Sequence, residues 1–230
     1  MKKSIVLATA VASVLTSGAA FAEFTGNAAI ASNYIWRGIT QTADQAAGQG
    51  GLDWSDESGL YAGTWVSNVD FSGLGDGYEM DVYAGFSGEA GDVGYDLGVI
   101  SYQYPVSPEF NFTELYVSGT VSVVTVGVAY TVDAAHGNTD GIFDEGDMYV
   151  NGSLDFSAGK SDVSIYAGSY MFDNDGTPAV GEVDYVHYGA SISKDGFTFA
   201  VDKNDIDGTG VGASVDNVRF TASYGVDFEL

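Results

Sequence analysis

The sequence has no cysteine. That excludes disulfides, thiolate metal sites and a thiol nucleophile, so stability must come from hydrogen bonding and packing. Positive charge is nearly as scarce: Lys and Arg number 7 against 32 Asp and Glu, a formal net charge of −25. So few cations cannot neutralise a run of phosphates, which excludes nucleic acid as a partner. Histidine is limited to His136 and His187, leaving little on which general-base catalysis could be built. Beyond residue 22 no stretch approaches the roughly 18 apolar residues that a membrane-crossing helix needs. If the chain enters a membrane, it enters as a closed barrel.

Glycine and aromatic residues are abundant, with 32 Gly, 15 Tyr and 13 Phe against 3 Pro. That balance suits β-structure punctuated by glycine turns. The N-terminus differs from the rest. Lys2 and Lys3 precede an apolar run from Ile5 to Leu15 and the small-residue site Ala20-Phe21-Ala22, the three-part pattern of a secretory signal peptide. The expected organisation is residues 1–22 as a cleaved signal and 23–230 as one domain. Cleavage would leave Arg37, Lys160, Lys194, Lys203 and Arg219 as the only basic side chains.

From Phe24 onward, apolar residues alternate with polar or small ones in windows of about ten, as in barrel strands with one face to lipid and one to a lumen. Twelve windows can be drawn: 24–37, 50–55, 60–70, 78–88, 93–104, 111–121, 123–133, 146–157, 161–172, 183–193, 196–203 and 216–229. Their connectors alternate between long, Asp/Gly/Asn-rich segments and tight turns such as Lys194-Asp195-Gly196. Long extracellular loops and short periplasmic turns produce this rhythm, with both chain ends on the periplasmic side. The predicted fold is all-β: one antiparallel transmembrane β-barrel of 12 strands in a Gram-negative outer membrane, in contact with its lipid.

Strand faces follow from the alternation. Val124, Val126, Val128, Tyr130 and Val132 are expected toward lipid, with Thr125, Gly127, Ala129, Thr131 and Asp133 inward. Tyr78, Met80, Val82, Ala84 and Phe86 likewise oppose Glu79, Asp81, Tyr83, Gly85 and Ser87. The segment 60–70 leaves its facing open, because both faces are partly apolar. Phe220, Ala222, Tyr224, Val226, Phe228 and Leu230 give an alternating C-terminal tail of the kind read by the barrel-insertion machinery, with Leu230 where an aromatic residue is usual.

The ordered blocks SNYIWRGITQT (32–42), QGGLDW (49–54), GLYAGTWVSNVDF (59–71), EMDVYAGFSG (79–88), VGYDLGVISYQYP (93–105) and NFTELYVSG (111–119) resemble the TorF family of bacterial outer-membrane proteins, described as porins. The resemblance is dense up to about residue 120 and looser beyond. It implies a β-barrel with a pore role and supplies no catalytic residues.

On the lumen side the alternation sets Asp53, Glu79, Asp81, Asp96, Glu114, Asp155 and Asp202, with Arg37 and Arg219 as inward cations; these are the expected pore-lining residues. Carboxylates around a narrow aqueous path concentrate cations and repel anions. The expected function is a porin-like channel for passive diffusion of small solutes or ions, weakly cation-selective. The alternative is a closed barrel whose carboxylates serve Tyr, Ser and Arg neighbours and whose acidic long loops meet a surface partner. No cofactor is expected. Residues 171–182 set Gly176 and Glu182 as in a calcium-binding loop but place Met171 where a carboxylate is needed. Solvated acidic loops are the expectation instead. Enzyme activity is not expected, since His187 and Ser191 lack a carboxylate partner in the pattern. In strand one, Ile30, Tyr34 and Trp36 are expected toward lipid, with Asn33 and Arg37 toward the lumen.

Overall fold

The computed structural model describes residues 23–71, 76–135, 143–175, 183–206 and 217–230. The expected signal peptide, His136 and parts of the acidic loops, including residues 176–182, lie outside the described residues.

Twelve strands close into one antiparallel barrel. They are β1 (Glu23–Ala31), β4 (Ala47–Ser55), β5 (Leu60–Asp70), β6 (Asp76–Ala90), β7 (Val93–Gln103), β8 (Phe112–Val121), β9 (Val124–Ala134), β10 (Met148–Ala158), β11 (Ser161–Met171), β12 (Tyr185–Lys194), β13 (Phe197–Asn204) and β14 (Arg219–Glu229). Each pairs with its neighbour along the chain, and β14 closes on β1 with Ala28 opposite Val226. Closure leaves no unpaired edge. Two further short strands, β2 (Ile35–Trp36) and β3 (Ile39–Thr40), form a separate hairpin.

The period-two pattern explains the strands. On β14, Phe220, Tyr224, Val226 and Phe228 are exposed while Arg219 is buried. On β6, Tyr78 and Val82 face out while Glu79, Asp81 and Ser87 are buried. Across the barrel the outer surface is studded with large apolar side chains, Ile30 at 68% and Phe220 at 80% exposure among them. Such a belt suits hydrocarbon and would be a liability in water. The facing of β5 resolves with Tyr61, Trp65, Ser67 and Val69 on the inner side and Leu60 and Val66 outside.

Short turns join the strands at the end that carries both termini. At Asp195 and Gly196 both residues have positive φ, 51° and 85°, matching the primed hairpin turns whose twist suits antiparallel strands.

Two placements depart from the sequence pattern. Asp133, expected inward, is exposed. A register shift makes Glu114 pair with Thr131 while Thr113 pairs with Asp133, so Val132 is an extra residue in β9 and inverts the facing beyond it. The larger departure concerns strand one, which ends at Ala31 instead of continuing to Arg37. Residues 32–46 leave the ladder and pack their aromatic side chains into the interior, with β2 and β3 as their internal hairpin.

Candidate functional site

The inward segment begins where the alternation of strand one meets Ser32-Asn33, a polar pair that favours a turn. Tyr34 and Trp36, expected toward lipid, are instead 5% and 6% exposed and lie in the core cluster. Trp36 meets Tyr102, Phe112 and Tyr170 edge-on at 5.7 to 6.1 Å between centroids. Burying two large aromatic rings offsets the loss of strand pairing for the segment.

Arg37 sits at the hairpin tip, with φ at 47° and the adjoining Gly38 at 81°. Its Nη1 donates to Glu114 Oε1 at 2.8 Å and its Nη2 to Glu114 Oε2 at 2.5 Å. The guanidinium also lies over the rings of Trp36, Tyr149 and Tyr170 at 4.3, 4.1 and 4.9 Å. With Arg37 at 7% exposure and Glu114 at 1%, this is a desolvated, two-pronged ion pair inside an aromatic box.

Further contacts hold the segment against the wall. Tyr34 donates its hydroxyl to Glu79 Oε1 at 2.7 Å, and Tyr104 donates to Oε2 at 2.6 Å. Asn204 Nδ2 donates to the Gly38 carbonyl at 2.8 Å, and the Asp70 amide to the Gln41 carbonyl at 2.8 Å. Arg219 Nε donates to Asp44 Oδ1 at 2.7 Å. Hydrogen bonding from Arg219 lowers the Asp44 pKa against a smaller desolvation cost.

The remaining expected lining residues divide by partner. Asp53 accepts from the Tyr83 hydroxyl and from Asn27 Nδ2; Asp96 accepts from Tyr61 at 2.6 Å, and Asp202 from Tyr166 at 2.7 Å. Asp155 has the inward parity of buried Tyr149 but sits toward the turn end, exposed, accepting from Ser153 Oγ at 2.5 Å. Asp81 is buried, and its Oδ1 has no hydrogen-bond partner among the described residues. Of the tyrosines that engage these carboxylates, Tyr83 is expected inward from the alternation, whereas Tyr61 and Tyr166 escape it, because a tyrosine on a barrel strand reads equally well as girdle or lumen.

His187 lies in the same wall, its Nε2 2.8 Å from the Tyr149 hydroxyl. Ser191 makes no hydrogen bond with it, so among the described residues His187 and Ser191 do not form a Ser/His/carboxylate relay. The acidic loops spend carboxylates on backbone amides. Asp147 accepts from the amides of Asp173 and Asp144, both at 2.9 Å, and Asp175 Oδ1 accepts from Val183 and Asp184 at 2.5 and 3.0 Å. Burial pushes the Asp147 carboxyl up to about 6 in spite of those amides. Among the described residues no cluster of three or more His, Cys, Asp or Glu could hold a metal ion.

A closed antiparallel 12-strand barrel with an apolar outside and a polar, aromatic inside defines a β-barrel of the membrane-spanning type. Residues 16–228 match the family described as "Bacterial protein of unknown function (Gcw_chp)", and the chain belongs to that family. No curated protein is significantly similar in sequence. Among solved structures, the chain is similar to the KdgM porin at a TM-score of 0.55 and 9% identity, over 90% of this chain and 99% of that one. A second structure of that porin, "in complex with disordered oligogalacturonate", gives 0.53 at 8% identity over 91% and 99%. The NanC porin gives 0.52 at 12% identity over 90% and 100%. At these identities the likeness carries the barrel fold.

Proposed function

We propose that the chain is an outer-membrane porin-type channel for small solutes or ions, with residues 32–46 forming an internal constriction and an acidic wall favouring cations. The observation that carries this reading is the segment itself: a loop folded into a barrel of porin architecture, meeting the wall through Arg37 and Glu114. The porin-like neighbours support the same reading, as does the resemblance of the quoted blocks to the TorF family. On it, residues 1–22 are the cleaved export signal, the long loops are extracellular, the turns periplasmic, and the C-terminal strand is what the insertion machinery reads.

The lumen carries Asp53, Asp81, Asp96 and Asp202 against few cations, and Asp155 stands at the turn-end mouth. Carboxylates in a low-dielectric wall focus field lines and enrich cations.

A second reading is favoured by one observation: Tyr170 is 0% and Glu114 1% exposed, so at that level the interior is filled. On that reading the barrel is closed and interacts through its acidic loops. Planar-bilayer recording in a potassium chloride gradient tests the proposal. Unitary currents with a reversal potential on the potassium side are expected. A chloride-side reversal would overturn the selectivity, and silence from both the wild type and a variant lacking the segment would overturn the channel.

A further inference from the structure

The box around the Arg37 guanidinium has two parts of different origin. Trp36 arrives with the segment, but Glu114, Tyr149 and Tyr170 belong to β8, β10 and β11 of the barrel wall. The wall part is therefore framed by paired strands of the barrel. Ala31 of β1 pairs with Ala47 of β4, so the ladder runs on past the segment, and the β2–β3 hairpin that carries Arg37 is a separate sheet; the segment touches the barrel sheet at Ser32, whose amide donates to the Ala222 carbonyl, and at Thr42, which bridges Asp70.

Without Arg37 that wall would present the Glu114 carboxylate beside the two tyrosine rings over which the guanidinium lies, at 4.1 and 4.9 Å. A carboxylate set in an aromatic wall without a partner is disfavoured, and the contacts made here suit a planar, two-pronged cation with aromatic faces to stack on. The Tyr170 and Tyr185 hydroxyls, on rings whose centroids lie 5.9 Å apart, are buried and make no hydrogen bond among the described residues. The arginine that fills the box is held at positive φ, a conformation non-glycine residues rarely adopt.

We infer that Glu114, Tyr149 and Tyr170 form a wall site for solutes carrying a guanidinium or similar planar cation, and that Arg37 is its built-in occupant. The inference rests on the channel reading for its role in transport, though binding at the site does not require conduction. Displacement of Arg37 by such a solute would couple solute arrival to release of the segment. Selectivity then belongs to a binding site, beyond the diffuse field of the lumen.

The test uses Arg37→Ala, which deletes the occupant and leaves the wall. Refolded in detergent, the variant is titrated with ethylguanidinium, the fragment removed by the substitution, and read by tryptophan fluorescence and by the melting midpoint of its gel-mobility shift. Saturable binding with a rise in midpoint is expected, at least about tenfold weaker for ethylammonium, which lacks the planar fork. It is expected to vanish in Arg37→Ala/Glu114→Gln. Absence of saturable binding, equal binding of ethylammonium, or binding that survives in the double variant would overturn the inference. Should Arg37→Ala not refold, refolding is repeated with ethylguanidinium present: recovery supports the site, and continued failure overturns it. A barrel that binds without conducting leaves the site standing and removes the channel reading.

Discussion

Replacing Glu114 by Gln keeps the size of the side chain and one acceptor oxygen but removes the charge that faces Arg37. Breaking a buried ion pair from one side costs about 3–5 kcal/mol, because the surviving charge is left desolvated. Two features pull the cost toward the lower end. The Gln carbonyl oxygen can still accept from one guanidinium nitrogen, and the three aromatic faces at 4.1 to 4.9 Å remain, each worth up to about 2 kcal/mol when dry. About 3 kcal/mol is therefore expected, and since Arg37 sits at the tip of the β2–β3 hairpin, which is not paired into the barrel sheet, it should emerge as release of that hairpin before the barrel unfolds. That corresponds to roughly a hundredfold larger open population. Trypsin reads it directly, because cleavage after Arg37 requires the segment to leave the lumen and its rate follows the open population when reclosing is fast. In Glu114→Gln the initial rate of cleavage at Arg37 should rise roughly a hundredfold, while cuts at Lys160 and Lys194, exposed in the short turns, should keep their wild-type rates. A rise of less than about fivefold would refute the reasoning, since a pair worth so little would not be holding the segment.

Other expectations follow from the same geometry. Gly38→Ala should loosen the segment by about 1–3 kcal/mol, because φ is 81° there and an added Cβ would run into the His187 side chain; enhanced cleavage at Arg37 without loss of the barrel's gel-mobility shift would register it. Burial raises the Asp147 carboxyl to about 6, so the folded loop favours its neutral form. The associated stability is present below the unfolded carboxyl value near 3.8 and is lost as pH rises through about 6. Melting midpoints should therefore fall between pH 5 and 7, and Asp147→Asn should flatten that slope. Neutralising Asp53, Asp96 and Asp202 together as Asn should move the reversal potential toward zero in any conducting form; an unchanged potential would place the ion path elsewhere.

Much of the barrel was legible in the sequence because period-two alternation and glycine turns are local signals. All twelve barrel strands lie in or overlap the windows drawn from alternation, and the inward parity of Glu79, Asp81, Asp96, Glu114 and Asp202 matches their burial. Asp133 escaped because a bulge shifts parity by one residue and leaves no mark in composition. The inward segment escaped for a deeper reason. Tyr34 and Trp36 continue the alternation of strand one, so the local pattern extends it, while what draws them inside is the distant Glu79, Tyr102 and Tyr170, with Glu114 drawing in the neighbouring Arg37. A signal was nonetheless present: Ser32-Asn33 and Arg37-Gly38 are turn-prone pairs within a supposed strand. Tertiary contacts outcompeted the strand pattern there.

The central claim is that residues 32–46 occupy the interior and govern passage through the barrel. Because Ala31 and Ala47 are paired, replacing 32–46 by the dipeptide Asn-Gly should close β1 and β4 as an ordinary hairpin and leave the barrel wall complete. Single-channel recording of this variant beside the wild type is the most direct measurement. A steady, larger, cation-preferring conductance is expected in the variant; conductance equal to that of the wild type, or none in either protein, would contradict a constriction formed by residues 32–46.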